Sequence, residues 1–354
     1  MTTSEFFEAL SFDGPVLTLD IGSGTQDALL AVPDMAPENW PRVVLPSPAL
    51  QRVDEIRELT AKGQPVWLHG VNMGGGFHVA VKEHLDKELP LAATLEAAKA
   101  IHRDVESIKA LGITIAEECP EGYQPVELAD FFPDFWRNLL EACRLPQPRL
   151  IMAAAQDHGS EADIDQCKGR FCQWKRLIDE NDGDPSGWIY TSAPEGLDRL
   201  AALQRSTGGP VADTSTAAVL AALSIPEVAE RSDREGICVV NLGNSHTTAF
   251  LVYRRCVYGI YEHHTGYLTT DKLIKDLNEF RLGWLPDEQV RAAGGHGCVF
   301  MELPPEAEGF RPTFVLGPKR RILKDYGKFI APCGEMMLAG CYGLLYGLAR
   351  RRPI

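Results

Sequence analysis

Val16-Leu17-Thr18-Leu19-Asp20-Ile21-Gly22-Ser23-Gly24-Thr25-Gln26-Asp27-Ala28-Leu29-Leu30 is the stretch on which the fold turns. An apolar run carries the carboxylate of Asp20 to its end, a glycine-spaced turn bearing hydroxyls follows, and a second apolar run leaves. The spacing predicts a strand, a tight turn and a strand. Gly22 and Gly24 let backbone N–H groups approach an anion closely, Ser23, Thr25 and Gln26 add side-chain donors, and Asp20 is a ligand for Mg²⁺. Further along, Ile237-Cys238-Val239-Val240-Asn241-Leu242-Gly243-Asn244-Ser245-His246-Thr247-Thr248-Ala249-Phe250-Leu251-Val252 repeats the pattern. Two such hairpins in one chain predict a duplicated fold that grips a nucleotide from both sides.

The surroundings are those of a globular α/β protein. A chain of 354 residues, 45% apolar and 24% charged, has enough material for two domains. Its formal net charge of −14 argues against nonspecific binding to nucleic acid or an anionic membrane, which needs clustered Lys and Arg. No apolar run approaches the roughly 18 residues of a spanning helix, and the start shows no basic region leading into an apolar core, so a cytoplasmic location is expected. The nine cysteines are scattered, which reads as reduced thiols. The closest pair, Cys167 and Cys172, lacks a second pair at zinc-site spacing, and no cysteine triplet for an iron–sulfur cluster is present.

Working outward from the first hairpin, a third strand is expected at Arg42–Pro46, a helix over Pro48–Lys62 and a strand at Pro65–Gly70. Helices follow at Phe77–Leu85 and Leu95–Leu111, and strands at Ile113–Ala116 and Leu150–Ala155. Cys119–Asp134, rich in proline and acid, reads as a loop or insertion, and Asp179–Pro185 as a solvated turn. Trp188–Tyr190 predicts a short strand and Leu197–Leu203 a short helix. Val211 and Ala212 then lead into Asp213, which caps an alanine-rich helix. Glu227–Glu235 reads as an acidic linker and the domain boundary. After the second hairpin come a strand at Val257–Tyr261, a helix over Thr270–Phe280, a glycine-broken stretch at Gly294–Gly297, the strand Thr313–Leu316 ending at Gly317, and a glycine-spaced helix over Met336–Leu348.

Several further groups could carry chemistry. His69-Gly70-Val71-Asn72-Met73-Gly74-Gly75-Gly76-Phe77-His78 follows a strand and opens a helix. Its glycines expose N–H groups to an anion or serve simply as a turn. Gln156-Asp157-His158 stands at the carboxyl end of a strand, where open α/β sheets bind ligands. Asp157 and His158 form an acid–base pair, a metal site or a solvated surface pair. His263 and His264 are neighbours on a strand and so point to opposite faces. Lys319-Arg320-Arg321 and Arg350-Arg351-Arg352 are the dense basic runs. The first follows a glycine turn within reach of a nucleotide, and the second caps the terminal helix.

Together these segments resemble the actin-like ATPase superfamily, which groups actin, heat-shock chaperone ATPases, sugar kinases and exopolyphosphatases. Asp20–Asp27 resembles its first phosphate loop and Asp213–Ala218 the segment before its first interdomain helix. Asn241–Thr248 is similar to its second phosphate loop, Phe314–Pro318 to its adenosine motif and Gly334–Gly343 to its closing helix. Within the superfamily the chain looks most like an uncharacterised prokaryotic family sometimes labelled as activating pyruvate formate-lyase. The cysteine triplet that such a radical activator requires is missing, so the label carries no weight. One departure is Asn241, where the superfamily's second loop begins with a carboxylate.

The resemblance implies a duplicated ribonuclease-H-like fold of two domains with an interdomain nucleotide cleft. The first domain is expected over 1–230 with family-specific insertions, the second over 236–335, and a terminal helix over 336–354 returns toward the first. ATP and Mg²⁺ are the implied cofactors, with Asp20 and Asn241 at the metal. Gly22, Ser23, Gly24, Thr25, Gln26, Gly243, Asn244, Ser245, Thr247, Gly317 and Lys319 are implied around the nucleotide. Asp213 and Asp20 are the candidate catalytic residues, Asp213 as the base in the manner of the sugar kinases or, equally, as a helix cap alone. His69, Gly74, Gly75, Gly76, His78, Asp157 and His158 are candidates for a substrate or partner pocket. A phosphotransferase acting on a small molecule, an ATP-hydrolysing switch for a protein partner, and a nucleotide-binding protein without catalysis are the functions left open.

Overall fold

A computed structural model of the chain describes residues 7, 10, 13–102, 104–159 and 170–351. In chain order the strands are β1 Val16–Ile21, β2 Thr25–Ala31, β3 Arg42–Pro46, β4 Val66–Gly70, β5 Leu91–Ala93, β6 Ile113–Ile115, β7 Gln124–Leu128 and β8 Leu150–Ala155. They continue with β9 Ile189–Tyr190, β10 Val211–Ala212, β11 Ile237–Leu242, β12 His246–Tyr253, β13 Cys256–His264, β14 Gly297–Phe300, β15 Thr313–Leu316 and β16 Lys328–Phe329.

Two six-stranded sheets repeat one plan. The first runs β3-β2-β1-β8-β10-β9 and the second β14-β13-β12-β11-β15-β16. In each, an antiparallel meander (β1-β2-β3 or β11-β12-β13) is extended from its first strand by two parallel strands, β8 and β10 or β15 and β16. This is the ribonuclease-H-like order, present twice, and it is the actin-like ATPase fold. The central strands β1 and β11 are buried on both faces, which is why Val16–Ile21 and Ile237–Leu242 are mostly apolar at consecutive positions, with only Thr18, Asp20 and Asn241 polar.

Between the sheets lie two helices, Thr214–Leu223 and Ala339–Arg351, whose residues share one apolar core with both sheets. All residues from Ser215 to Leu223 are buried. The alanines of one helix and the glycines of the other permit a close crossing. A Cβ on Gly343 would run into the backbone of Ala217, and one on Gly347 into the Ile189 and Leu220 side chains. A third sheet, β6-β5-β4-β7, is wholly parallel and has its own core around Leu68, Phe77 and Val126. No helix among the described residues is long and apolar enough to cross a membrane.

Several local expectations are corrected. Cys119–Asp134 contains β7, in which Val126 and Leu128 are buried while Pro125 and Glu127 are exposed; pairing with β4 outweighs the proline. Leu95–Leu111 is not one helix but two, Leu95–Lys99 and Val105–Ala110, the second started by Asp104, which accepts from the Ser107 N–H at 2.8 Å. The acidic stretch from Glu227 to Glu235 is mostly helix, Pro226–Arg234, with Val228, Ala229 and Ser232 buried on one side and the charges turned outward. Strand β13 runs on past Tyr261 to His264. The terminal helix begins at Ala339 rather than Met336. Cys167 of the closest cysteine pair and Arg352 of the last basic run lie outside the described residues.

Candidate functional site

The two hairpins are alike to the level of single hydrogen bonds. Asp20 faces Asp27 across the first, and Asn241 faces Thr248 across the second. In each turn the glycine N–H donates to the carbonyl three residues on, Gly22 to Thr25 and Gly243 to His246, both at 2.9 Å. The sheets bring the two tips together: Ser23 Oγ and Ser245 Oγ are 2.6 Å apart. Behind the tips is a cavity of about 720 Å³. Its walls include Asp20, Asp27, Gly22, Ser23 and Thr25 from the first hairpin, and Asn241, Gly243, Asn244, Ser245 and His246 from the second.

Gly317 and Pro318 close the side next to β11. Gly317 has φ +97°, and a Cβ there would meet the Leu242 carbonyl, so this turn needs glycine. Gly74, Gly75, Gly76, His78, Asp157, His158 and Arg199 form another wall. The Gly74 N–H donates to Asp130 Oδ1 at 3.3 Å, and Arg199 clasps Asp130 through Nε and a terminal nitrogen at 2.7 and 2.9 Å. His78 is fixed by the Ala100 carbonyl at 2.6 Å. Asp157 accepts from the N–H groups of Arg199 and Leu200 at 2.9 and 3.0 Å, holding the start of the helix Asp198–Thr207.

Charge in the first hairpin is poorly compensated. Burial, then the neighbouring Asp27, raises the Asp20 carboxyl to about 8, against one hydrogen bond from Thr214 Oγ1 at 3.0 Å. Burial raises Asp27 to about 7, and its Oδ1 is buried with no hydrogen-bond partner. Two facing carboxylates, one with an unused buried oxygen, fit a hard divalent cation such as Mg²⁺. The matching positions in the second hairpin, Asn241 and Thr248, are neutral.

Asp213 occupies a different setting from the cavity wall. Its Oδ1 accepts from the Ser215 N–H at 2.8 Å, capping the helix Thr214–Leu223, and from Arg170 at 2.9 Å; its Oδ2 accepts from the Asp157 N–H at 3.1 Å. Arg170 also reaches Glu262 of β13, Nε to Oε2 at 2.9 Å, so one buried guanidinium ties the first sheet to the second. Other expected residues stand apart from the cavity. Gln26 is buried and donates to the Pro46 carbonyl at 3.2 Å, Thr247 is buried with its Oγ1 3.0 Å from that of Thr265, and His69 stacks on Trp67. Lys319 is exposed, and its backbone N–H, not its side chain, is docked on Leu242. Gly24 hydrogen-bonds through its carbonyl to the Ser47 N–H at 3.2 Å.

Sequence reasoning gave no role to Asp27, Arg170, Arg199, Glu262, His246 or His296, and took His264 only as half of a strand pair. Asp27 was within reach, because a four-residue turn places it opposite Asp20. The histidines needed the sheet. His246 and His264 are cross-strand partners on β12 and β13, and His296 is set beside them by its N–H bond to the Glu262 carbonyl at 3.0 Å. The rings of His246, His264 and His296 lie 4.5 to 5.0 Å apart by centroid, and that of His158, exposed to the cleft, comes within 5.0 Å of His296. Burial, followed by mutual repulsion and the Arg170 charge, lowers His246 and His296 to about 3. Desolvation and Arg170 push His158 the same way.

Residues 73–322 match the family described as "Putative pyruvate format-lyase activating enzyme (DUF1786)", and the chain belongs to that family. Among solved structures it is similar to the ethanolamine utilization protein EutJ from Carboxydothermus hydrogenoformans, at 9% identity over 95% of this chain and 90% of that one, with a TM-score of 0.33. It is also similar to the inorganic polyphosphate/ATP-glucomannokinase from Arthrobacter sp. strain KM, at 12% identity over 96% and 100%, TM-score 0.34. A third is a Bacteroides thetaiotaomicron protein with actin-like ATPase fold and unknown function, at 9% identity over 95% and 99%, TM-score 0.35. No curated protein sequence matches the chain.

Proposed function

We propose that this member of the family binds ATP with Mg²⁺ in the cleft and transfers a phosphoryl group to a small molecule. The observation that carries the reading is the pair of equivalent hairpins, same register and same turn bond, meeting tip to tip at Ser23 and Ser245 over a cavity that holds the Asp20–Asp27 pair with its unpartnered Asp27 Oδ1. Asp20 and Asp27 would hold the cation, and the N–H groups and hydroxyls of the two turns would hold the phosphates. Bound Mg·ATP supplies an activated phosphoryl group whose charge the cation offsets. The wall from Gly74 to His78, with Arg199 fixed beside it, is the place for the acceptor, since it lines the same cavity as the tips.

In this reading Asp213 becomes the base for the acceptor hydroxyl only when Arg170 releases it. Its engagement by Arg170, which also grips Glu262, favours a second reading, a switch in which nucleotide binding changes how the two halves are tied. The test is ADP release across a panel of hydroxylated metabolites and, separately, of candidate protein partners. Stimulation by one compound, abolished in Asp213→Asn while ATP affinity is retained, supports transfer. Stimulation by protein alone selects the switch, and absence of ATP binding removes both.

A further inference from the structure

The histidines beside the second hairpin are not used by the nucleotide reading. His246 stands at the tip of the hairpin and lines the cavity. His264 is its cross-strand partner, so the two side chains leave the same face of the sheet. Glu262, two residues from His264, shares that face, whereas His263 between them turns to the other side and is fully buried. His296 comes in just ahead of β14, the next strand, where Gly297 pairs with Glu262. Two adjacent strands and the turn leading into a third thus deliver three imidazoles to one point.

Each of these rings offers a nitrogen within 4.8 Å of a nitrogen on the other two. Nε2 of His246 and Nε2 of His296 are buried and have no hydrogen-bond partner. Leaving two such nitrogens unpaired is unfavourable in a protein interior. A second set, His158, Glu262 and His296, meets the same distance condition and shares His296 with the first. Neither set includes a cysteine.

We propose that His246, His264 and His296 form a binding site for a divalent transition metal ion of the zinc class, with the fourth coordination position turned toward His158 and the cavity. Imidazole donors select Zn²⁺, Co²⁺, Ni²⁺ or Cu²⁺ over Mg²⁺ and Ca²⁺, which require oxygen ligands. Nitrogens about 2.0–2.1 Å from zinc in a tetrahedron stand about 3.4 Å apart, so side-chain rotations of about 1 Å close the set. Glu262 serves the site from behind: its carboxylate is held by Arg170 and by Gln156 Nε2 at 2.5 Å, and its backbone carbonyl positions His296. Because His158 belongs to the loop after β8 and the others to the second sheet, the ion would sit where the two halves meet. This site is separate from the Asp20–Asp27 pair and does not rest on the nucleotide reading.

The experiment is a titration of the full chain, stripped with a chelator, with Co²⁺ and with Zn²⁺ in the absence of nucleotide. Expected are a single equivalent of Zn²⁺ that excess Mg²⁺ does not displace, and a visible Co²⁺ absorption band of four-coordinate intensity that Zn²⁺ abolishes. His264→Asn and His296→Asn should each weaken binding by more than about tenfold, since loss of merely a supporting partner already costs that much. His102→Asn, which lines the cavity but belongs to neither set, should bind as the parent does. The proposal is overturned if the parent chain binds no stoichiometric Zn²⁺, if the Co²⁺ spectrum is that of the six-coordinate aqueous ion, or if folded His264→Asn, checked by circular dichroism, binds as tightly as the parent. The parent spectrum decides the matter should a variant fail to fold. ATP binding, measured on the stripped protein with Mg²⁺, succeeds or fails independently.

Discussion

Mg²⁺ binding to the Asp20–Asp27 pair should release protons, in an amount that depends steeply on pH. Burial holds Asp20 at about 8 and Asp27 at about 7 in the free protein, so near neutrality most Asp20 and half of Asp27 carry a proton. A cation takes the carboxylates only in their charged form, so its binding expels those protons. With these values the release is about 1.4 protons at pH 7 and about 0.1 at pH 9, and the apparent affinity rises about 20-fold between them. The sign is that of an acid whose pKa is raised in the folded protein: the proton is bound below pH 7, and the metal gains as pH passes through 7 and then 8. Calorimetric titration with MgCl₂, in two buffers of different ionisation enthalpy, measures the proton count directly. Asp27→Asn should leave less than about 0.9 proton at pH 7, because losing the Asp27 charge also lowers Asp20, and Asp20→Asn should leave about 0.5. An affinity independent of pH, with no proton released, would refute the assignment of the cation to this pair.

Gly317→Ala places a side chain at φ +97° and against the Leu242 carbonyl, so it should destabilise the protein by about 1–3 kcal/mol, lower the melting temperature and weaken ATP binding. Arg170→Met leaves Asp213 and Glu262 as buried carboxylates without their cation, a loss of about 3–5 kcal/mol in denaturant unfolding. Because burial already holds Glu262 at about 7, that loss should be smaller at pH 5, where Glu262 is protonated, than at pH 8.

The hairpins were legible because their strands are central: burial on both faces makes most consecutive positions apolar, up to the polar residue just before the glycine turn. The buried helix Thr214–Leu223 was legible from its cap and its alanines. The third sheet was not, since Leu91–Ala93 is three residues long and Gln124–Leu128 contains a proline; both exist because β4 lies between them. The same holds at the site. Glycines and hydroxyls that act through local turns could be read from spacing, but Arg170 and Arg199 act on partners far along the chain, and nothing local marks them. The histidines are the clearest instance. Alternation along β13 separates His263 from His264 correctly, yet only the cross-strand register brings His264 to His246.

The equivalence of the hairpins has a last consequence. A duplicated scaffold with two like turns would accept a polyanion in either of two directions. Here backbone geometry keeps that symmetry while charge breaks it: Asp20 and Asp27 on one side answer to Asn241 and Thr248 on the other. Under the proposed function a ligand that carries its own cation would meet one acidic and one neutral hairpin, a polarity that would fix which way round it lies.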